Sequence, residues 1–468
     1  MRFFSAILFF LFPAALFAQP TYLGIYFQNE KIGYSYSEEF KDEIAGKPMN
    51  RFVSKTVIDA SLLGQDLTME IDMVSWTTTD GKPTLMKFVM NSGGRFQKVE
   101  ANYSGSGVHL AIDQSGQLSR KTLTYPKDAP VVEDALTALL EKSPPVGKTA
   151  SYYVLDPTTL SFVKNTATVK GPAKTMVNGK EVSGTLVELA EPRSTMKVYL
   201  TSKGDLIKVI AIGSMEMIPV SKEVAIAKLP AGKRVDIAEV SKISVTPPID
   251  NMYGYSSISY RFTGGDWSRV PSDTTQKRTV SGDSCELIVT PRTLDLPMAP
   301  LSQLATKQPQ WLKPGLHIPA NDPQVVALSK KVTAGAKDSK QVVLKIAGYV
   351  NQLMNPNAGI GVLRDAREIL KSKEGVCRDY AILTATLMRA AKVPTKLVSG
   401  LVYDSGGFYY HAWVEVWSGT EWLGVDTTRS QLKTSAGHIK LGQGNVEEAF
   451  LFTFLEQTSA KVIQKKAK

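Results

Sequence analysis

GVCRDYA, Gly375 to Ala381, opens a run in which Ala381, Leu383, Ala385, Leu387, Met388, Ala390 and Ala391 leave almost no polar side. A helix that is apolar nearly all round is a buried one. The pattern predicts a central helix from about Cys377 to Lys392, stopped ahead of Pro394 because the residue before a proline avoids the helical region. Cys377 then sits at the helix start, where free backbone N–H groups and the positive dipole end favour thiolate over thiol. A single cysteine is more often inert core, so its meaning depends on what can reach it.

Downstream, LVSGLVYD (Leu397–Asp404) reads as a strand that turns through Ser405-Gly406-Gly407 into FYYHAWVEVW (Phe408–Trp417). That second run is aromatic and β-branched, as a strand buried on both faces should be. WLGVD (Trp422–Asp426) reads as the returning strand. With a two-residue loop at Ser418-Gly419, Trp417 pairs with Thr420 and His411 lies opposite Asp426. With a four-residue loop, Ser418 to Glu421, His411 pairs with Thr428 and Asp426 becomes a diagonal neighbour on the same face. Either register lets the carboxylate orient the imidazole. A thiol, an imidazole and a carboxylate in this order are the parts of a cysteine-nucleophile site.

KSKEGVCRDYAILTATLMRAAKVPTKLVSGLVYD, FYYHAWVEVW and WLGVDTT together resemble the core of the transglutaminase-like superfamily, which shares its active-site plan with papain-like cysteine proteases. The resemblance covers roughly Pro323 to Glu456 and implies Cys377 as nucleophile, His411 as general base and acid, and Asp426 as orienting residue. It also implies an α+β core, helices packed on an antiparallel sheet. Two departures stand out. Thr427 follows the aspartate where relatives commonly carry proline, and the cationic Arg378 follows the cysteine. The resemblance further points to Tyr349 as an oxyanion donor, although packing with its hydroxyl at the surface is the commoner role. His438, in GHIKL, matches a recurrent family segment and is a cleft-lining candidate, with a surface position the blander expectation. Trp413 shares the His411 face and is either a cleft wall or core.

Before the core the chain is overwhelmingly β, so the fold class expected is α+β with mainly antiparallel β domains ahead of the catalytic core. TYLGIYFQNEKIGYSYSEEF places strands on both sides of a turn near Asn29, and DLTMEIDMVSW alternates with period two. VEDALTALLEK (Val132–Lys142) is the one clear helix of this region. The organisation expected is a signal peptide at 1–18, a β-rich domain at 19–235, a small β domain at 236–300, a linker at 301–322, the catalytic core at 323–457 and a basic tail at 458–468.

Met1-Arg2, the apolar run Phe3–Phe17 and Ala18 before Gln19 read as a secretory signal, too short for a comfortable membrane span. The mature chain then has 54 basic and 44 acidic residues, a net of +10, scattered except for Lys461, Lys465, Lys466 and Lys468. A basic solvated surface tolerant of anionic envelope polymers fits that balance, and no nucleic-acid motif accompanies it. No zinc-type cluster or calcium loop occurs, so no metal or cofactor is called for. The only two cysteines, Cys285 and Cys377, pose a choice between a disulfide and two thiols; the helix-start position of Cys377 favours free thiols. The sequence thus points to a secreted or periplasmic cysteine-dependent hydrolase or acyltransferase acting on a protein or peptide. The competing class is a non-catalytic envelope scaffold that retains the core.

Overall fold

The computed structural model describes residues 20–133, 145–192, 195–211, 214–228, 234–449, 455 and 458–468. The signal segment expected at 1–18, most of the helix expected at Val132–Lys142 and part of the junction near Leu229 lie outside the described residues. The described chain divides into two units, one within 20–240 with Ala358–Leu363, the other within Ser241–Asn357 with Arg364–Lys468.

The first unit is built on one 14-stranded antiparallel sheet. Its first hairpin, Thr21–Phe27 with Glu30–Ile44, turns through Gln28 and Asn29, both at positive φ, the conformation that suits the right-handed twist of the flanking strands. Alternation drives the rest: in Gln65–Thr78, Leu67, Met69, Ile71, Met73 and Ser75 are buried while Thr68 and Glu70 are exposed. The segment Ala358–Leu363 belongs to this unit. The Ala358 N–H donates to Gln65 Oε1 at 2.6 Å, and the Gly361 N–H to Ser92 Oγ at 3.1 Å.

The second unit holds the candidate site. Helices Pro323–Thr333, Ser339–Leu353 and Ala366–Ser372 surround the helix Cys377–Ala390, in which every residue from Arg378 to Arg389 is buried. This central helix packs on the strands Thr395–Asp404 and Gly407–Trp417. The sheet runs in the order Gln276–Ser281, Ser284–Val289, Tyr255–Thr263, Ser459–Ala467, Ile243–Thr246, Gly407–Trp417, Thr395–Asp404, His438–Gly444, with Trp422–Val425 pairing the histidine strand.

Strand makes up 50% and helix 17% of the structure, so the molecule is mostly β, and α+β describes it only roughly. The β segment at 236–300 is no separate domain, because Ile243–Thr246 pairs the histidine strand and joins its neighbours to the core sheet. The residues 458–468 are no tail. Ser459–Ala467 is an interior strand, antiparallel to Tyr255–Thr263 and parallel to Ile243–Thr246, with Ala460 and Val462 inward and Lys461 outward. The stretch 301–322 also carries a helix, Leu301–Lys307, and a 3-10 turn, Pro309–Leu312.

Candidate active site

The cysteine helix starts at Val376, an extended N-cap that offers no side-chain oxygen. Asp379, in the first turn, makes the reciprocal contact: its Oδ2 takes the N–H of Val376 at 2.9 Å, and its own N–H donates to the Val376 carbonyl at 2.7 Å. Asp379 is wholly buried and paired with Arg364 at 3.2 Å. Arg364, equally buried, also donates to Glu368 (2.7 Å), Ser372 (3.0 Å) and the Glu374 carbonyl (2.6 Å). A Cβ at Gly375 would meet Arg364 Nη2 and Asp379 Oδ2 at 2.6 Å, so this ion pair can close over the backbone only at a glycine. The residues before Cys377 are therefore pinned by a buried ion-pair and hydrogen-bond network, in which Arg364 Nε and Asp379 Oδ1 stay without a hydrogen bond, rather than by local turn chemistry. Arg378 is buried beside Asp379, which lies 3.8 Å away. Burial lowers its pKa, while Asp379 and the Cys377 charge favour its charged form.

Both cysteines are free, Cys377 partly exposed and Cys285 buried. Burial pushes the Cys285 thiol up to about 11, which makes it a poor nucleophile. Both lie in the second unit, not in different domains as the sequence reading placed them.

The hairpin adopts the four-residue loop: Trp417 pairs with Trp422 and Val414 with Val425. Asp426 thus stands just past the end of its strand, diagonal to His411. His411 Nε2 meets Asp426 Oδ2 at 2.8 Å, and the imidazole also hydrogen-bonds the Cys377 sulfur. With Nε2 taken, Nδ1 is the nitrogen left for the sulfur. Burial alone would lower the His411 pKa, but the Asp426 carboxylate and the Cys377 charge outweigh it and raise it to about 9. Asp426 is fully buried; burial would push its pKa up, yet His411 and His438 hold it well below the usual carboxylate range. Its Oδ1 accepts the Thr428 N–H (3.0 Å) and hydroxyl (2.7 Å).

Among the other candidates, Trp413 is 3% exposed and stacked on His411 at 6.2 Å, which makes it packing beneath the imidazole rather than an open cleft wall. His438 is not on the surface. It is buried, with Nε2 3.2 Å from Asp426 Oδ2. Tyr349 is half-buried and its hydroxyl makes no hydrogen bond among the described residues, so none places it at an oxyanion position. Sequence reading missed Arg364, Asp379, Thr428 and Ser435. It also missed the Thr427 hydroxyl, which meets Thr384 Oγ1 on the cysteine helix at 3.0 Å and ties the aspartate loop to it. A threonine two residues past the aspartate was the signal for Thr428, since Asp and Thr form local caps at such spacing.

His411, Asp426 and His438 have ligand atoms within 4.8 Å of one another, as a metal site would. Their hydrogen bonds argue otherwise. The Ser435 N–H points at His438 Nδ1 (3.1 Å), so the ring proton must sit on Nε2, the atom a metal would need bare.

A model of the transglutaminase-like superfamily matches residues 326–427, from within the first helix of the core to just past Asp426. This part of the chain is a transglutaminase-like domain. Curated relatives include an uncharacterized protein of Mycobacterium leprae, 26% identical over 141 residues, which are 28% of this chain and 50% of that protein. One of Mycobacterium tuberculosis is 34% identical over 91 residues, 16% of this chain and 29% of its own. The chain thus spans half the length of the first and under a third of the second. Among solved structures, a candidate cysteine protease from Cytophaga hutchinsonii is similar at 17% identity, covering 45% of this chain and 87% of its own, with a TM-score of 0.32. A β-barrel-like protein from Brucella abortus covers 43% of this chain and 95% of its own at 11% identity and a TM-score of 0.28.

Proposed function

We propose that the chain is an exported cysteine-dependent enzyme that cleaves amide or peptide bonds through a thioester on Cys377. The observation that supports this most is His411 bridging the Cys377 sulfur and a buried carboxylate at the mouth of a helix N-terminus. The thiolate attacks the carbonyl carbon, and the Cys377 backbone N–H at the helix start donates to the oxygen that becomes negative. His411 gives its proton to the departing amine. It then takes one from the water that attacks the thioester, releasing the acid and restoring the thiolate. Asp426 keeps the imidazole oriented and its charged form favoured throughout.

Hydrolysis is preferred over transfer to an amine. Trp413, an aromatic that would have served to wall a tunnel for a lysine side chain, is packed away at 3% exposure. The substrate is a protein or peptide, and an anionic cell-envelope component suits the basic surface. Export rests on the signal-like residues 1–18. The test is a panel of carboxamides and peptides scored for ammonia and new amino termini, with and without a labelled primary amine. Products that vanish in Cys377→Ala support the reading. Faster incorporation of the amine than release of ammonia would make the enzyme a transferase. A native Cys377 that yields no product and resists thiol probes would make it a scaffold.

A further inference from the structure

We infer that His438 is a fourth member of the site, a positioning residue whose neutral imidazole clamps the Asp426 carboxylate in the orientation His411 requires. The inference rests on the Cys377–His411–Asp426 reading and extends it to a residue beyond the family match, which ends at 427.

A backbone N–H can only donate, and the Ser435 N–H faces His438 Nδ1 at 3.1 Å, with the Ser435 hydroxyl at 3.0 Å. Nδ1 is therefore the acceptor nitrogen, and the single proton of the neutral ring is on Nε2. That N–H points at Asp426 Oδ2, 3.2 Å away, the same oxygen that takes the His411 N–H. Oδ1 is filled by the two Thr428 donors. Four donors thus occupy the four lone-pair sites of a carboxylate with no exposed surface, which leaves it no other low-energy rotation.

The surroundings keep the clamp neutral. Protonating His438 would set an N–H against the Ser435 N–H, and burial disfavours the cation. The charged groups facing the ring from each packed element are accounted for. His411 comes from the histidine strand, and Asp426 and Arg429 from the following loop. Glu415 and Lys440, paired at 2.7 Å, and Arg292 share a small cavity with it. Trp413 stands perpendicular to the ring at 5.3 Å and fixes its plane. With Trp413 stacked on His411 as well, one indole sets the tilt of both imidazoles that meet at Oδ2.

Two measurements test this without any known substrate. In the wild-type chain labelled with ¹⁵N-histidine, the His438 ring should remain neutral with its proton on Nε2 through the pH range in which an ordinary histidine titrates. An imidazolium, or a proton on Nδ1, would overturn the inference. The second readout is the pH dependence of Cys377 alkylation, whose alkaline limb reports His411 losing its proton. His438→Leu should move that limb down by about one pH unit or more, as a loosened carboxylate holds the imidazolium less well. His438→Gln, whose amide has an acceptor and a donor in the same sense, should keep the wild-type limb. A folded His438→Leu protein with an unshifted limb would overturn the inference, as would a Gln variant no better than Leu. Failure of the proposed hydrolysis would show instead as a normal alkylation profile with no turnover.

Discussion

Asp426→Asn removes the charge while keeping the shape, and the structure says what that does. The amide has one acceptor and one donor end. Facing its N–H₂ to Oδ2's place sets it against the N–H groups of both His411 and His438; flipping it sets the N–H₂ against the Thr428 N–H. Either way a buried donor meets a donor. In the wild type His411 keeps its proton to about 9 against an ordinary 6.5, a difference of about 2.5 units. That is on the order of 3 kcal/mol in favour of the imidazolium, shared between Asp426 and Cys377. Without the carboxylate, burial acts almost unopposed and the His411 pKa should fall below its ordinary value. Iodoacetamide alkylation of Cys377, followed by peptide mass spectrometry from pH 5 to 10, reads this directly, with buried Cys285 as the unreactive internal control. At neutral pH the variant should react on the order of 10²-fold more slowly, with its alkaline limb lost. The stability consequence has a definite sign. A raised histidine pKa stabilises the fold below about 6.5 and loses that contribution as pH rises through about 9. Denaturant titrations should therefore show the wild-type advantage over the variant narrowing between pH 7 and 10. An Asp426→Asn protein that folds and keeps the wild-type alkylation limb would refute the reasoning.

Arg364→Leu removes the guanidinium that pairs both Asp379 and Glu368, leaving Asp379 only the longer contact to Arg378 at 3.8 Å; it should cost about 3–5 kcal/mol and lower the calorimetric Tm by roughly 6–20 °C. An unchanged Tm would mean that the network below Gly375 is not structural. Thr384→Val strands the Thr427 hydroxyl and should cost about 1–3 kcal/mol in urea unfolding, with cost near zero counting against the tie between helix and aspartate loop. Thiol titration without reductant should find one accessible thiol in the native protein and two after denaturation; finding none would mean a disulfide.

The helix Cys377–Ala390 and the histidine strand were legible because each carries a strong local pattern, near-total apolarity in the one and β-branched aromatics in the other. The loop between the hairpin strands was legible only as two alternatives. Ser418 decides between them, since its hydroxyl accepts the Glu421 N–H at 3.0 Å and donates to the Glu421 carbonyl at 2.8 Å, closing the longer loop. The strand Ser459–Ala467 was hidden by its lysines. Its inward Ala460 and Val462 do alternate with outward Lys461 and Ile463, but the parallel partner at Val245 is more than two hundred residues away and leaves no local trace. His438 looked like surface for a related reason. Lys440 beside it is also buried, neutralised by Asp273 and Glu415 at 2.7 Å each, and no local rule announces a lysine inside a core. Arg364 and Asp379 were invisible as a pair because their contact is set by tertiary packing around a glycine.

The central claim is that Cys377 forms a thioester with the help of His411. Acid-quenched mass spectrometry of the full chain after brief exposure to p-nitrophenyl acetate tests it without a natural substrate. The account predicts a burst of nitrophenolate close to one per chain, an acetyl group on Cys377, and loss of both in Cys377→Ala and His411→Ala. A burst that survives in Cys377→Ala, or an acetyl group found only on other residues, would contradict it.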